Sequence, residues 1–190
     1  MTEPSPQQMR RWHDFLQPYF ARFGVDAAAM DAGVLRQPFG DAQLEIMQQY
    51  RPAVVSFHFG LPEPQLLEQV KAAGSVVMSS ATTVAEARWL EEHGADIIIA
   101  QGLEAGGHRG MFLNRDLNTQ AGTFSLLPQI CAAVHVPVVA TGGISNAATA
   151  HAARQLGAAG IQIGTALMLA DEADTSALHR AALQSPRAEH

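Results

Sequence analysis

The 190-residue chain has a single cysteine, Cys131, which excludes an intrachain disulfide. Its eight histidines are scattered without a pair at close ligand spacing, so no structural zinc site or other metal is expected. No apolar run approaches the ~20 residues that a membrane helix needs. The amino terminus, MTEPSPQQMRRW, also lacks the apolar centre of a secretory signal. Basic residues are few, 12 against 18 acidic ones for a formal charge of −6, and they form no cluster. Nucleic acid therefore has no electrostatic footprint. What remains is a cytoplasmic protein with small-molecule partners and neither a nucleic-acid nor a membrane partner.

What is present is enough for one domain with a core: 47% of residues are hydrophobic and the mean hydropathy is near zero. Residues 1–8 are polar and expected to be disordered. From Met9 a helical stripe follows, Trp12, Phe15, Leu16, Tyr19, Phe20 and Phe23, with Pro18 predicted to kink it. Val25 to Gly40 reads as irregular, and Asp41 reads as the N-cap of a short helix that carries Leu44, Met47 and Tyr50 inward.

Beyond Pro52 the chain becomes a series of strand and helix units. Strands are predicted at Ala53–Phe59, Ser75–Ser80, Asp96–Ala100, Pro137–Thr141 and Gly160–Thr165. Successive starts fall roughly 22 residues apart, about what a strand, a loop and a crossover helix occupy in a parallel sheet, and one interval is about twice as long. Helix punctuation agrees: Thr83 with Glu86 reads as a capping box, Ser145 as a cap, and Gly74, Gly94 and Gly157 as helix ends.

The third strand, Ile97-Ile98-Ile99-Ala100, has no polar alternation and fits a strand covered on both faces. A glycine-rich loop follows it and carries Gln101, Gly102, Glu104, Gly106, Gly107, His108, Arg109 and Gly110. Polar groups on flexible backbone at the carboxyl end of a buried parallel strand are where α/β folds hold ligands. Two later strand ends also turn through glycine, in Thr141-Gly142-Gly143-Ile144-Ser145 and in Gln162-Ile163-Gly164-Thr165. Successive glycine turns after late strands favour a barrel phosphate site, and the G-x-G-x-x-G of a dinucleotide fold is absent.

With EAGGHRG, VVATGGIS and GAAGIQIGT in this order, the sequence resembles the nitronate monooxygenase family, formerly called 2-nitropropane dioxygenases, over roughly Pro52 to Ser185. That resemblance implies an FMN-dependent (β/α)8 TIM barrel that oxidises alkyl nitronates or nitroalkanes with O2 to a carbonyl compound and nitrite. It implies His108 as the catalytic base, and imidazole suits that task because its charge changes near neutral pH. Gln101 and Gly106 match flavin contacts. Gly143, Gln162, Ile163, Gly164 and Thr165 match FMN phosphate and ribityl contacts, with Gly142 and Ser145 as neighbours. His58 is expected near the same rim, as a substrate or flavin contact or as a structural histidine. Ser79 and Ser80 are weaker candidates, Arg109 and Glu104 are expected to pin or solvate the loop, and His93, His135, His151 and His179 are read as surface or packing residues.

The sequence also departs from the family. An A-P-M-type opening segment and an early glycine-rich loop are missing, and the chain stops at Ser185-Pro-Arg-Ala-Glu-His, whereas such barrels take ~250 residues. The expectation is an α/β fold of TIM-barrel type that is incomplete and truncated at both ends. It would have about five βα units, a polar tail and helical preamble over 1–51, and a partial FMN-binding barrel over 52–190. An open edge is a liability, which the aromatic preamble is available to cover within one chain or across a homo-oligomer. An FMN-dependent enoyl-acyl-carrier-protein reductase and an inactive flavin- or phosphate-binding fragment stay open as alternatives. An IMP dehydrogenase-like barrel is disfavoured, because its loop cysteine has no counterpart here.

Overall fold

The apolar run Ile97-Ile98-Ile99 forms the middle of β3 (Ile97–Gln101), with Ile98, Ile99 and Ala100 at most 1% exposed. Such burial is possible only with neighbours on both edges and cover on both faces. The computed structural model, which describes residues 4–26 and 37–189, supplies the edges from β2 (Val76–Ala81) and β4 (Val138–Thr141). β1 (Val54–Phe57) and β5 (Gly160–Gln162) complete a five-stranded sheet in sequential order, parallel throughout. Sequential order with every strand parallel is half of a (β/α)8 barrel; a doubly wound sheet would reverse its order midway.

Between the strands run α3 (Pro64–Ala72), α4 (Val84–Glu92), α5 (Thr123–Ala133) and α6 (Ala147–Gln155), and α7 (Ala177–Leu183) follows β5. The period of two along each strand divides the side chains. Ile98, Ala100, Val138 and Ala140 pack with Leu90, Leu126, Leu127 and Ile130 of the helices in one buried cluster. Leu90, Ile98, Leu127 and Ile130 are fully buried, and each such side chain contributes roughly 1.5–3 kcal/mol. Ile99 and Gln101 have the opposite parity and face the inside of the half-barrel, as do Ser80, Thr141 and Gln162. A second cluster joins Leu67, Val70 and Val77 to Leu44 and Met47 of α2 (Asp41–Tyr50), which the sequence groups with the preamble.

The chain divides into two compact units, Met1–Pro38 and Phe39–His190. In the first, α1 (Pro6–Phe23) starts earlier than predicted. Ser5 and Gln8 bond reciprocally in a capping box with Pro6 at the first turn, so Pro6–Gln8 are helical where disorder is expected. The helix runs through Pro18 and leaves Trp12, Phe15, Tyr19 and Phe23 exposed. Most of the irregular stretch expected over Val25 to Gly40 lies outside the described residues.

Three cap assignments are corrected. Gly40, not Asp41, is the N-cap of α2, and Asn146, not Ser145, caps α6, its Oδ1 accepting from the Thr149 N–H. Thr83 does cap α4, but the Glu86 carboxylate turns elsewhere, so no capping box forms. β5 ends at Gln162, three residues short of its predicted end, because Thr165–Leu169 coils into a 3₁₀ helix. No helix among the described residues is long and apolar enough to cross a membrane.

Candidate active site at the carboxyl ends of the strands

A cavity of about 860 Å³ opens at the carboxyl ends of the strands. His108, Gln101, Gly106, Gly142, Gly143, Gln162, Ile163, Gly164 and Thr165 all line it, together with His58, Ser80 and Ser145. Residues spread over more than a hundred positions meet there because β1 to β5 end on the same side. A smaller hollow of about 460 Å³ between α2 and α3 is lined by Gln48, Arg51 and Gln69 and by none of the predicted site residues.

Gln101 is buried, and its amide works in both directions: Nε2 donates to the His108 carbonyl at 3.0 Å, and Oε1 accepts from the Gly110 N–H at 2.7 Å. Its backbone thus belongs to the rigid strand while its side chain holds the loop that bears His108. His58 Nε2 lies 3.1 Å from the same carbonyl oxygen. Phe59 follows at φ +67, a left-handed conformation that costs a bulky residue roughly 1–2 kcal/mol. Its ring meets the His108 ring edge-on at 5.9 Å. Ser80 reaches the cavity, whereas Ser79 is buried and donates to the Gly60 carbonyl at 2.9 Å.

The loop is latched at three further places. Arg109 donates to the carbonyls of Gly102, Leu103 and Ala105, which curls residues 102–109 around one guanidinium. Glu104 accepts from the N–H and hydroxyl of Thr123 at the start of α5. Burial would raise the Glu104 carboxyl, but the Thr123 donors and the nearby Arg109 charge outweigh it and hold the group below the ordinary carboxylate range. Glu86, buried at the start of α4, accepts from the N–H and hydroxyl of Thr82 with one oxygen and from the N–H groups of Phe112 and Leu113 with the other. Sequence spacing misses this last role, since nothing local pairs Glu86 with a loop 26 residues on.

His93 stacks on Trp89, His135 lies beside Glu91, and His151 and His179 sit in α6 and α7. None of the four lines the cavity. Cys131 is within α5, and burial pushes its thiol up.

The glycine turns bear on whether a flat, phosphate-bearing cofactor fits. A Cβ at Gly107 or Gly164 would meet nothing within 4 Å, so their backbones face open space in the cavity. Gly142 has φ +111, and a Cβ there would stand 2.8 Å from Thr123 Oγ1 and 2.9 Å from the Ala105 nitrogen, so only glycine can make the turn that leads into α6. The segments Gly142–Ser145 and Gln162–Thr165 contribute backbone and hydroxyl groups and no carboxylate. This donor set fits an anion at a helix N-terminus.

The fold and cavity define a half-barrel with a candidate site at its strand ends. Residues 19–190 match the family model of nitronate monooxygenase, and the chain belongs to that family, which is flavin-dependent. It is 40% identical over 187 residues to a nitronate monooxygenase of Pseudomonas aeruginosa, covering 98% of this chain and 53% of that one. A nitronate monooxygenase of Paraburkholderia phytofirmans is 38% identical, covering 92% and 48%. Among solved structures, nitroalkane oxidase from Streptomyces ansochromogenes superposes with a TM-score of 0.83 at 35% identity over 98% of this chain and 54% of that one. FabK from Thermotoga maritima superposes with a TM-score of 0.66 at 26% identity over 95% and 53%. The chain thus spans about half the length of the curated relatives it matches.

Proposed function

We propose that the cavity binds FMN and that the chain carries the proton-transfer half of nitronate monooxygenase chemistry, with His108 as the base. The observation that carries this reading is the convergence of His108, Gln101 and both glycine turns on one cavity at the strand ends. Gly142, Gly143 and Ser145 would hold the phosphate, with Gln162, Ile163, Gly164 and Thr165 along the ribityl chain and Gln101 and Gly106 beside the ring. His108 would take the acidic C–H proton of a nitroalkane, leaving a nitronate and an imidazolium. A loop pinned at the His108 carbonyl keeps the base within the short reach that proton transfer requires. Bound FMN supplies the oxygen chemistry that converts nitronate and O2 to a carbonyl compound and nitrite.

The first test is the visible spectrum of the chain mixed with FMN and passed through a desalting column. Retained flavin bands are expected, and a colourless eluate overturns the cofactor assignment. His108→Ala should keep the flavin and lose turnover of neutral nitroalkane by ~100-fold or more, with preformed nitronate less affected. Equal loss on both substrates would remove His108 from proton abstraction.

One observation favours a second reading, a flavin binder without turnover. β1 and β5 each pair on one side only among the described strands, so the cavity has walls on fewer sides than a closed barrel would give it. Retained flavin with no oxygen uptake on nitronate would support that reading.

A further inference from the structure

We infer that His58 and Phe59, at the carboxyl end of β1, are positioning residues for the His108 imidazole, an inference that rests on the reading of His108 as the base. The His108 carbonyl oxygen has His58 Nε2 at 3.1 Å and the Gln101 amide nitrogen at 3.0 Å. A carbonyl oxygen only accepts, so the His58 contact is a hydrogen bond only when Nε2 carries the proton. The neutral His58 ring is then the Nε2–H tautomer.

Two features on either side make the arrangement specific. A Cβ at Gly110 would stand 2.8 Å from His58 Cε1 and 3.1 Å from Ser80 Cβ, so the loop approaches the imidazole as closely as a bare backbone permits. Phe59 sets its ring 4.4 Å from that of His58 and perpendicular to that of His108, and does so from a backbone conformation that side chains avoid. The turn is fixed from outside: the Gly60 carbonyl accepts from Ser79, and the Phe112 ring leaves a Cβ at Gly60 only 3.3 Å. A strained aromatic at φ +67 that touches both histidines has a geometric effect on each.

His108 follows two glycines on an exposed loop, and without these contacts its ring would sample positions out of reach of a substrate C–H. His58 is itself exposed, so its bond to the loop adds little to folding. Its effect belongs in the proton-transfer step.

The test combines histidine-labelled ¹⁵N NMR of the full chain, with and without FMN, and steady-state kinetics. NMR should report the Nε2–H tautomer for His58, and the His108 ring resonances should move in both His58→Ala and Phe59→Leu. His58→Ala should lower kcat on neutral nitroalkane ten- to a hundred-fold, the scale of a misplacement near 1 Å, with KM and nitronate turnover little changed. His58→Gln, which offers an amide N–H donor in place of the imidazole N–H, should restore most of the loss, and His58→Ala should add nothing to His108→Ala. A wild-type chain inactive on nitroalkanes overturns the reading of His108 as the base, and the NMR result then decides positioning alone. Unmoved His108 resonances in both variants overturn the inference whether or not the protein is active. In an active protein, equal loss on nitronate or full additivity with His108→Ala overturns it too.

Discussion

Glu86 illustrates how much one side chain can organise. Its carboxylate lies 1% exposed and forms no salt bridge among the described residues, and four donors satisfy its two oxygens. Gln120 extends the network by donating to Thr82 Oγ1. Replacing Glu86 by Gln keeps the shape but turns an acceptor into a donor that faces donors. Unmet buried groups cost roughly 1–3 kcal/mol each, so Glu86→Gln should lower stability by about that much in urea unfolding. It should also speed proteolytic cleavage within residues 102–122. Equal cleavage rates for the variant and the wild type would show that the Glu86 hydrogen bonds do not hold the loop. At this scale the sequence is legible for residues whose partners are local. Gly142 could be read from its place after a strand and before a helix. Glu86 could be read only as a capping-box member, because its partners Phe112 and Leu113 become neighbours through the fold.

Among the elements, the parallel strands were legible because apolar runs and repeated spacing specify both type and order. Their ends were less so: Gln101 continues β3, and Ile163 leaves β5. N-caps slipped by one residue at Gly40 and Asn146, where two adjacent residues both suit an N-cap and three-dimensional geometry chooses between them. The edge between α3 and β3 offers a further test. Asp96 accepts from the Val77 N–H and pairs with Lys71 at 2.7 Å, so one carboxylate ties α3, β2 and β3 together at the end of the sheet opposite the cavity. Burial would raise its pKa, but Lys71 and the Val77 N–H outweigh that and depress it. The unfolded chain, with its ordinary value near 3.8, therefore takes up the proton first as pH falls. The contribution of Asp96 is complete above that value and is lost as pH drops through it toward the folded value. Both partners are more than a third exposed, so solvent screening leaves Asp96→Asn a loss on the order of 1 kcal/mol at neutral pH. Its melting temperature should fall less steeply than that of the wild type on acidification below about pH 4, and parallel curves would assign the acid sensitivity elsewhere.

For the whole molecule, the cavity draws on the ends of β1 through β5 and on α7, so a ligand there should stabilise the sheet unit as a body rather than one loop. FMN that binds only the folded chain adds about 2.7 kcal/mol at a hundred times its Kd, and the melting temperature should keep rising with the logarithm of FMN concentration above that Kd. Gly143 allows this to be separated from unspecific effects. Its φ is +66, and a Cβ there meets Glu104 at an ordinary 3.5 Å, so Asn and Asp both fit at a similar backbone cost of roughly 1 kcal/mol. Only Asp adds a negative charge, beside Glu104 and where the phosphate is proposed to sit. Gly143→Asn should therefore melt lower than the wild type but keep much of the FMN-induced rise, and Gly143→Asp should lose it. If the two variants respond alike to FMN, the anion is held elsewhere in the cavity, and the glycine turn serves only to lead β4 into α6.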